Sequence, residues 1–206
     1  MPKRIVCADA LEWLAGDCPP CSVVASPPDQ NELGCSIEDW EVFYRTALER
    51  TFAVLAPGAP AVIYATDRKA EGQWHSKAAM IMGLGEAAGL RVLWHKIVLR
   101  RGVGKADIHR PGYSHLIALG DEKTRPGTAT PDVIERGHML YPNAMGMTAA
   151  KLAIEFAGRP RLPLVDPFCG RGTVPAMAEA MGLDAIGIDI DPAQCKAAEA
   201  LRLRRR

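Results

Sequence analysis

Apolar positions along the 206-residue chain fall into short continuous runs, separated by stretches with a three-four spacing. Seven runs read as strands: residues 4–8, 22–26, 61–65, 91–99, 115–119, 162–165 and 185–188. Most are apolar throughout rather than alternating, the pattern of strands covered on both faces of a parallel sheet. The first strand runs directly into a helix. Ser36-Ile37-Glu38-Asp39 is a capping sequence, and Trp40, Phe43, Ala47, Leu48, Thr51 and Leu55 then mark one helix face, ended by Pro57-Gly58. Thr148 is expected to cap a helix over 149–157 with Gly158 as its stop, and further helices are expected over 174–181 and 192–203. Strands alternating with helices predict an α/β domain. Residues 91–119 are the exception: two strands joined by a glycine-rich basic loop predict an antiparallel pair. The longest irregular stretch, 121–146, has the length of a functional or mobile connection.

Two strand ends carry the residues with chemical potential. In CSVVASPPDQ, residues 21–30, an apolar strand stops on Ser26-Pro27-Pro28 and delivers Asp29. Prolines have no N–H and a fixed φ, so the strand cannot continue through them. In PLVDPFCGRGTV, residues 163–174, a strand ends at Asp166-Pro167, and Gly170-Arg171-Gly172-Thr173 leads into a helix. Glycines there permit a tight turn and close approach of a ligand. Pro175 stands where a dinucleotide fingerprint has its third glycine. Asp166 at the mouth of the turn repels a pyrophosphate and favours an ammonium or sulfonium. Asp189, in AIGIDIDP, can accept hydrogen bonds from a ribose diol. The pair suits a ligand with a sugar and a positive charge but no phosphate. S-adenosylmethionine has those groups and NAD does not.

DPFCGRGTV followed by GIDIDP resembles the methionine and ribose motifs of the amino-methylating DNA methyltransferases, DPFxGSGTT and GIDIDPxYC. SVVASPPD resembles their catalytic SPPY or DPPY corner, and CADALEWLA their GDxLExL segment, whose acid contacts the cofactor adenine. YPNAMGMTAAKLA, residues 141–153, weakly resembles their HPTQKPxEL helix entrance. Catalytic motif first and cofactor motif last is the permuted order of the beta class. The resemblance implies a Rossmann-like, seven-stranded methyltransferase fold, mostly parallel with one antiparallel strand and circularly permuted. It implies S-adenosylmethionine as cofactor, with Asp166, Phe168, Gly170, Gly172 and Thr173 at the methionine end, Asp189 on the ribose and Asp9 on the adenine. Ser26 and Pro27 would hold an exocyclic amine with its lone pair facing the methyl group, and Pro28 would stiffen the corner. In this family the product is N4-methylcytosine or N6-methyladenine, Ser being associated with cytosine, and a base in a duplex must first be flipped out. The fourth position of the corner departs from the family: Asp29 replaces the aromatic that stacks on the base. It reads either as a substrate contact or as a turn acid, with Trp40, Tyr64 or Trp94 as substitute stacking platforms.

Length, 48% apolar residues and a net charge of +1 fit a soluble globular protein of one domain spanning 1–206. No apolar run reaches the length of a membrane span, and the N-terminal pattern is not that of a signal peptide. The six cysteines show no disulfide rhythm, which points to reduced thiols in the cytoplasm. Cys18-Pro-Pro-Cys21, with Cys7 and Cys35, would be the metal hypothesis. No second CxxC or His pair accompanies them, so no metal is expected. Seven strands and their helices leave no separate target-recognition domain. Nucleic-acid contact then falls to Arg100, Arg101, Lys105, His109 and Arg110 in the loop before Tyr113, a set suited to a single-stranded or flipped substrate. His109 and His115 otherwise read as loop or structural residues. The terminal arginines 202 and 204–206 read as charges complementing a helix C-terminus. DNA is the expected partner and a homodimer the assembly considered. The alternatives are methylation of RNA or of a small-molecule or protein amine, a non-catalytic cofactor-binding module, and, third, NAD-dependent redox chemistry.

Overall fold

The computed structural model describes residues 3–70, 72–105, 108 and 110–204. Its strands are β1 (Lys3–Cys7), β2 (Ser22–Ala25), β3 (Ala61–Ala65), β4 (Arg68–Ala70), β5 (Gln73–His75), β6 (Arg91–Leu99), β7 (Tyr113–Gly120), β8 (Val133–Glu135), β9 (Leu164–Asp166) and β10 (Ala185–Asp189). Its helices are α1 (Ala10–Gly16), α2 (Gln30–Leu33), α3 (Ile37–Ala53), α4 (Lys77–Ala87), α5 (Met147–Ala157), α6 (Thr173–Ala180) and α7 (Pro192–Ala200). Eight strands form one sheet in the order β1-β10-β9-β2-β3-β7-β6-β8, and β4 and β5 form a separate hairpin. Within the sheet only β7 runs against its neighbours, pairing antiparallel with β3 and β6. The expected mixed sheet with one reversed strand is therefore present, with one strand more than the seven expected.

The pleat sends alternate residues to opposite faces, so fully apolar strands feed two cores. Val23, Ala25, Ile63, Ile117 and Leu119 pack under α1, α3 and α4, while Val24, Val62, Leu116 and Ala118 pack under α5 and α6. The pairing that positions chemistry is β2 with β9, parallel, with Ser22 opposite Leu164 and Val23 opposite Val165. It brings the proline corner and the glycine corner side by side at the carboxyl ends of adjacent strands.

Several boundaries differ from expectation, mostly because a partner distant along the chain intervenes. Thr148 does not cap α5. The helix starts at Met147 after Gly146, with no side-chain cap, because the Arg136 carbonyl accepts from the N–H groups of Thr148 and Ala149 at 3.2 and 3.4 Å. A strand end thus does the work of a capping side chain. The C-terminal helix stops at Ala200 rather than 203: Leu201 turns extended and its carbonyl is taken by the Lys3 ammonium. On α3 the buried stripe runs through Trp40, Tyr44, Ala47, Leu48, Thr51 and Phe52, and Leu55 lies beyond the helix. Helix α4 had no expected counterpart. Its small residues and two glycines blur the stripe, and packing selects it: Ile81 is fully buried, and Gly85 lets α4 lie directly on Leu119. The irregular stretch 121–146 contains β8, which pairs parallel with β6 through Ile97–Val133 and Val98–Ile134.

Gly187 in the middle of β10 admits the glycine corner. A Cβ there would lie 2.9 Å from Cys169 Sγ and 3.0 Å from Pro175 Cγ. Overpacking of this kind costs about 1–3 kcal/mol. Gly187→Ala is therefore expected to lower the urea midpoint by that stability with an unchanged m-value.

Candidate active site

At the carboxyl ends of β9, β10 and β2 lies a cleft of about 640 Å³. Gly170 (φ 52°) and Gly172 (φ 83°) take left-handed conformations in the turn from β9 to α6. At Gly172 glycine is also required sterically, since a Cβ would come within 2.7 Å of Ala198 Cβ and 2.9 Å of its Cα. The turn is tied to β10 by Asp189, which accepts from the Gly170 N–H and the Asp191 N–H, both at 2.9 Å. A carboxylate has about four acceptor directions, so Asp189 keeps acceptor capacity toward the cleft. Asp9 caps α1 through Oδ1 alone, accepting from the Leu11 and Glu12 N–H groups at 2.7 and 3.0 Å.

Asp166 closes the floor. It is 5% exposed, accepts from the Phe168 N–H at 3.2 Å, and has no ion pair among the described residues. Burial, with the Asp189 charge adding to it, raises its carboxyl to about 7. Phe168 meets Phe43 edge-on, ring centroids 6.1 Å apart, on one wall. Tyr141 stands on the other. Its hydroxyl accepts from Thr173 Oγ1 at 3.1 Å, and the Arg171 guanidinium lies 5.3 Å from its ring centroid. All the expected cofactor-side residues, Asp9, Asp166, Phe168, Gly170, Thr173 and Asp189, line this cleft, and Gly172 forms its turn. Phe43 and Tyr141 are walls that sequence reasoning did not assign. The spacing of Phe43 puts it at the edge of the α3 stripe, where it reads as core.

Ser26 lies in the same cleft. Neither its hydroxyl nor the Pro27 carbonyl has a hydrogen-bond partner among the described residues. Pro27 is buried, and the Pro28 carbonyl is anchored by Trp40 Nε1 at 3.2 Å. Two acceptors are thus left free on a corner that is rigid by covalent structure and pinned from below.

Asp29 turns inward rather than toward the cleft. It caps α2 in a reciprocal box: its Oδ1 accepts from the Gln30 N–H at 2.9 Å, and Glu32 Oε2 accepts from the Asp29 N–H at 2.8 Å. Its oxygens also meet Lys77 Nζ at 3.2 Å, Arg110 Nη2 at 2.9 Å and Arg68 Nη1 at 3.9 Å. Burial alone would raise its pKa, but Lys77, Arg110 and the backbone donor outweigh it and hold the carboxyl below its usual range. Lys77 is itself buried over the Trp40 and Tyr44 rings, at 5.1 and 5.4 Å, which lowers its pKa by desolvation against the pull of Asp29.

Behind the corner a second chamber of about 150 Å³ shares Ser26 with the cleft. Arg100, Arg110, Lys77 and Arg136 line it, with Tyr64 as its aromatic. Of the basic-loop residues, Arg100 and Arg110 therefore reach the corner. Arg101 and Lys105 are exposed beyond it, and His109 lies outside the described residues, as do 205 and 206. Among the substitute stacking platforms, Tyr64 stands at the corner, Trp40 is fully buried beneath Lys77, and Trp94 lines a different groove with Phe156. Lys77 and Arg136 were missed, since they enter from α4 and the end of β8, the two elements the hydrophobic pattern did not reveal. Cys18 and Cys21 lie with their sulfurs 3.8 Å apart, and no group of three potential metal ligands occurs among the described residues. No described helix is long and apolar enough to cross a membrane.

No protein-family profile and no curated protein matches the chain. Solved structures do. A candidate DNA modification methylase of Thermus thermophilus, TTHA0409, solved in complex with S-adenosyl-L-methionine, is 22% identical with a TM-score of 0.72, over 95% of this chain and 91% of that one. The M1.HpyAVI–SAM complex is 15% identical with a TM-score of 0.67, over 96% and 97%. The cytosine-N4-specific PvuII DNA methyltransferase is 14% identical with a TM-score of 0.76, over 98% and 87%. The chain thus has the fold of these DNA methyltransferases over nearly its whole length.

Asn at position 29 would keep the cap acceptor but leave the Lys77 ammonium buried without its counter-charge. Breaking a buried pair in this way costs about 3–5 kcal/mol, so Asp29→Asn is expected to lose that much in urea unfolding at neutral pH. The carboxyl of Asp29 is depressed in the folded state. Its stabilisation is thus present above the unfolded value of about 3.9 and lost as pH falls through the folded value, so the difference between variant and wild type should shrink in acid. A constant difference across that range would contradict the assignment.

Proposed function

We propose that the chain is an S-adenosylmethionine-dependent N-methyltransferase acting on an exocyclic amino group of a nucleobase in DNA, N4 of cytosine, presented single-stranded or flipped. The observation that carries this reading is Asp166: a buried carboxyl with no ion pair among the described residues, at the floor of a cleft that also holds Asp9, Asp189 and Asp191. Such a site attracts a cation and repels a pyrophosphate, which fits a sulfonium nucleoside and disfavours NAD. The bound cofactor supplies a methyl group on positively charged sulfur. Asp166, with the Phe168, Gly170, Gly172 and Thr173 turn, would hold its methionine end. The remaining acceptor directions of Asp189 suit the ribose hydroxyls, and the Oδ2 of Asp9, which does not cap α1, suits the adenine amine.

The β2–β9 pairing sets Ser26 beside that cleft. The Ser26 hydroxyl and the Pro27 carbonyl would accept the two amine hydrogens, leaving the nitrogen lone pair aimed along the methyl–sulfur axis. Catalysis is then positioning plus electrostatics, with no covalent intermediate on the chain. Support for DNA and for cytosine comes from the cytosine-N4-specific relative by fold. The reading includes a single permuted domain in the cytoplasm, with a homodimer as its assembly. Asp29, held inward by Lys77 and Arg110, acts in it as the structural anchor of the corner. The absence of an aromatic at that position favours, as second reading, an RNA or small-molecule amine.

Incubation with labelled methyl donor and DNA, RNA or metabolites, followed by nucleoside mass spectrometry, is expected to place label in N4-methylcytosine. Label confined to a non-nucleic fraction selects the second reading. Ser26→Ala is expected to lower kcat by about 10–100-fold with cofactor affinity unchanged. Cofactor binding should also depend on pH. The cation binds ionised Asp166, whose carboxyl in the free protein is raised to about 7. Affinity should therefore be full above that pH and fall by up to about tenfold per unit below it. Calorimetry on Asp166→Asn should show weak binding without that slope.

A further inference from the structure

We propose that the chamber behind Pro27 is an anion site that receives a phosphate of the methyl acceptor, with Arg136 as its principal partner. This rests on the proposed methyl transfer at Ser26 and names how the acceptor is held there. Four cations line the chamber, Lys77, Arg100, Arg110 and Arg136, against two acids, Asp29 and Glu32. Both acids are engaged, Asp29 by Lys77, Arg110 and the Gln30 N–H, and Glu32 by the Asp29 N–H. Among the described lining residues cations thus outnumber acids.

Arg136 is the residue whose state demands a ligand. Its Nε is buried and makes no hydrogen bond, and it has no ion pair among the described residues. Its backbone, in contrast, is fixed. The N–H donates to the Leu99 carbonyl at 3.1 Å, and the carbonyl accepts from Thr148 and Ala149 at the start of α5. Gly146 packs so closely that a Cβ would collide with the Arg136 carbonyl and side-chain stem. The guanidinium thus extends from a fixed backbone and keeps a buried donor for which no acceptor stands among the described residues.

The chemistry of that acceptor follows from shape and sign. A cavity near 150 Å³ holds one benzene-sized group, so the chamber takes a phosphate or a ring but not a nucleotide. Tyr64 offers one aromatic face, but cations dominate the lining, which favours an anion over a neutral ring. A guanidinium fork matches phosphate oxygens bidentately. The molecule is then divided by charge at Ser26, with acids around the cationic donor and cations around the anionic acceptor. The same division keeps the acceptor phosphate out of the cofactor cleft.

Two measurements test this, both with Arg136→Gln, which keeps a polar side chain of similar length. The first is calorimetric titration of inorganic pyrophosphate into protein saturated with S-adenosylhomocysteine. Wild type is expected to bind and the variant to bind about tenfold more weakly or not at all. Equal binding overturns the proposal, whatever the acceptor. The second is the salt dependence of binding to a cytosine-containing single-stranded oligonucleotide and to the matched oligoribonucleotide, which separates the two phosphate sources. The variant's log–log slope is expected to be smaller by about one on the preferred strand, and an unchanged slope on both overturns the assignment. Retained S-adenosylhomocysteine binding by the variant shows that it folds. If wild type fails to bind S-adenosylhomocysteine at all, the methyltransferase reading is the one that fails.

Discussion

The site exists because β2 and β9 are hydrogen-bonded neighbours. Their contact is short: Ser22 and Val23 lie opposite Leu164 and Val165, and the Ser22 N–H donates to the Pro163 carbonyl at 3.2 Å. Yet it decides everything above it. Parallel strands of matched register end at the same level, so the chain direction after each strand determines what faces the crevice. After β9 the chain turns through two left-handed glycines into a helix and leaves an acidic cleft. After β2 it meets two prolines and leaves free acceptors. A slip of one residue would exchange the faces of Val23 and Val24, each fully buried in a different core. Burial on both sides therefore fixes the register as firmly as the hydrogen bonds do.

Charge is distributed around this junction in two opposed fields. On the cleft side four aspartates gather where β9, β10 and α1 meet, and burial leaves one of them, Asp166, on the edge of neutrality at pH 7. On the chamber side cations arrive from three distant elements, with Asp29 bound among them. Glu32 belongs to both linings, and its carboxylate is held by the Asp29 N–H rather than pointing freely into either. The capping box of a one-turn helix thus also serves as the partition between fields of opposite sign.

Elements governed by local covalent constraint were legible in the sequence. Proline pairs, left-handed glycines and short apolar runs need no tertiary partner to be read, so both corners, the parallel strands and the antiparallel pairing of β6 with β7 were expected correctly. What escaped was whatever depends on partners far along the chain. Helix α4 has interior glycines because Leu119 needs the room. Strand β8 has three residues with one buried, which no periodicity can reveal. Thr148 looked like a cap because it precedes an apolar run, but a carbonyl from the end of β8 already fills that role. Lys77 sits on α4 and Arg136 directly follows β8, so the basic half of the site was foreseen only through the loop arginines.

Asp29 shows why a motif departure need not disable a corner. In a corner closed by an aromatic, the side chain can turn outward, since its packing needs no counter-charge. An aspartate in the same place has a different lowest-energy option once cations are near. It can cap the next helix and neutralise a lysine that would otherwise be buried over two aromatic rings at the positive end of α4. That arrangement couples α2, α4 and the loop before β7 to one residue next to Pro28. The Trp40 indole on the Pro28 carbonyl and the ions on Asp29 then hold the two residues that follow Pro27. The rigidity of the corner is supplied from outside the strand, and an aromatic at position 29 is given up in return. Under the proposed reading, an acceptor bound there is recognised chiefly by charge and hydrogen bonding, which is the chemistry the lining of the chamber offers.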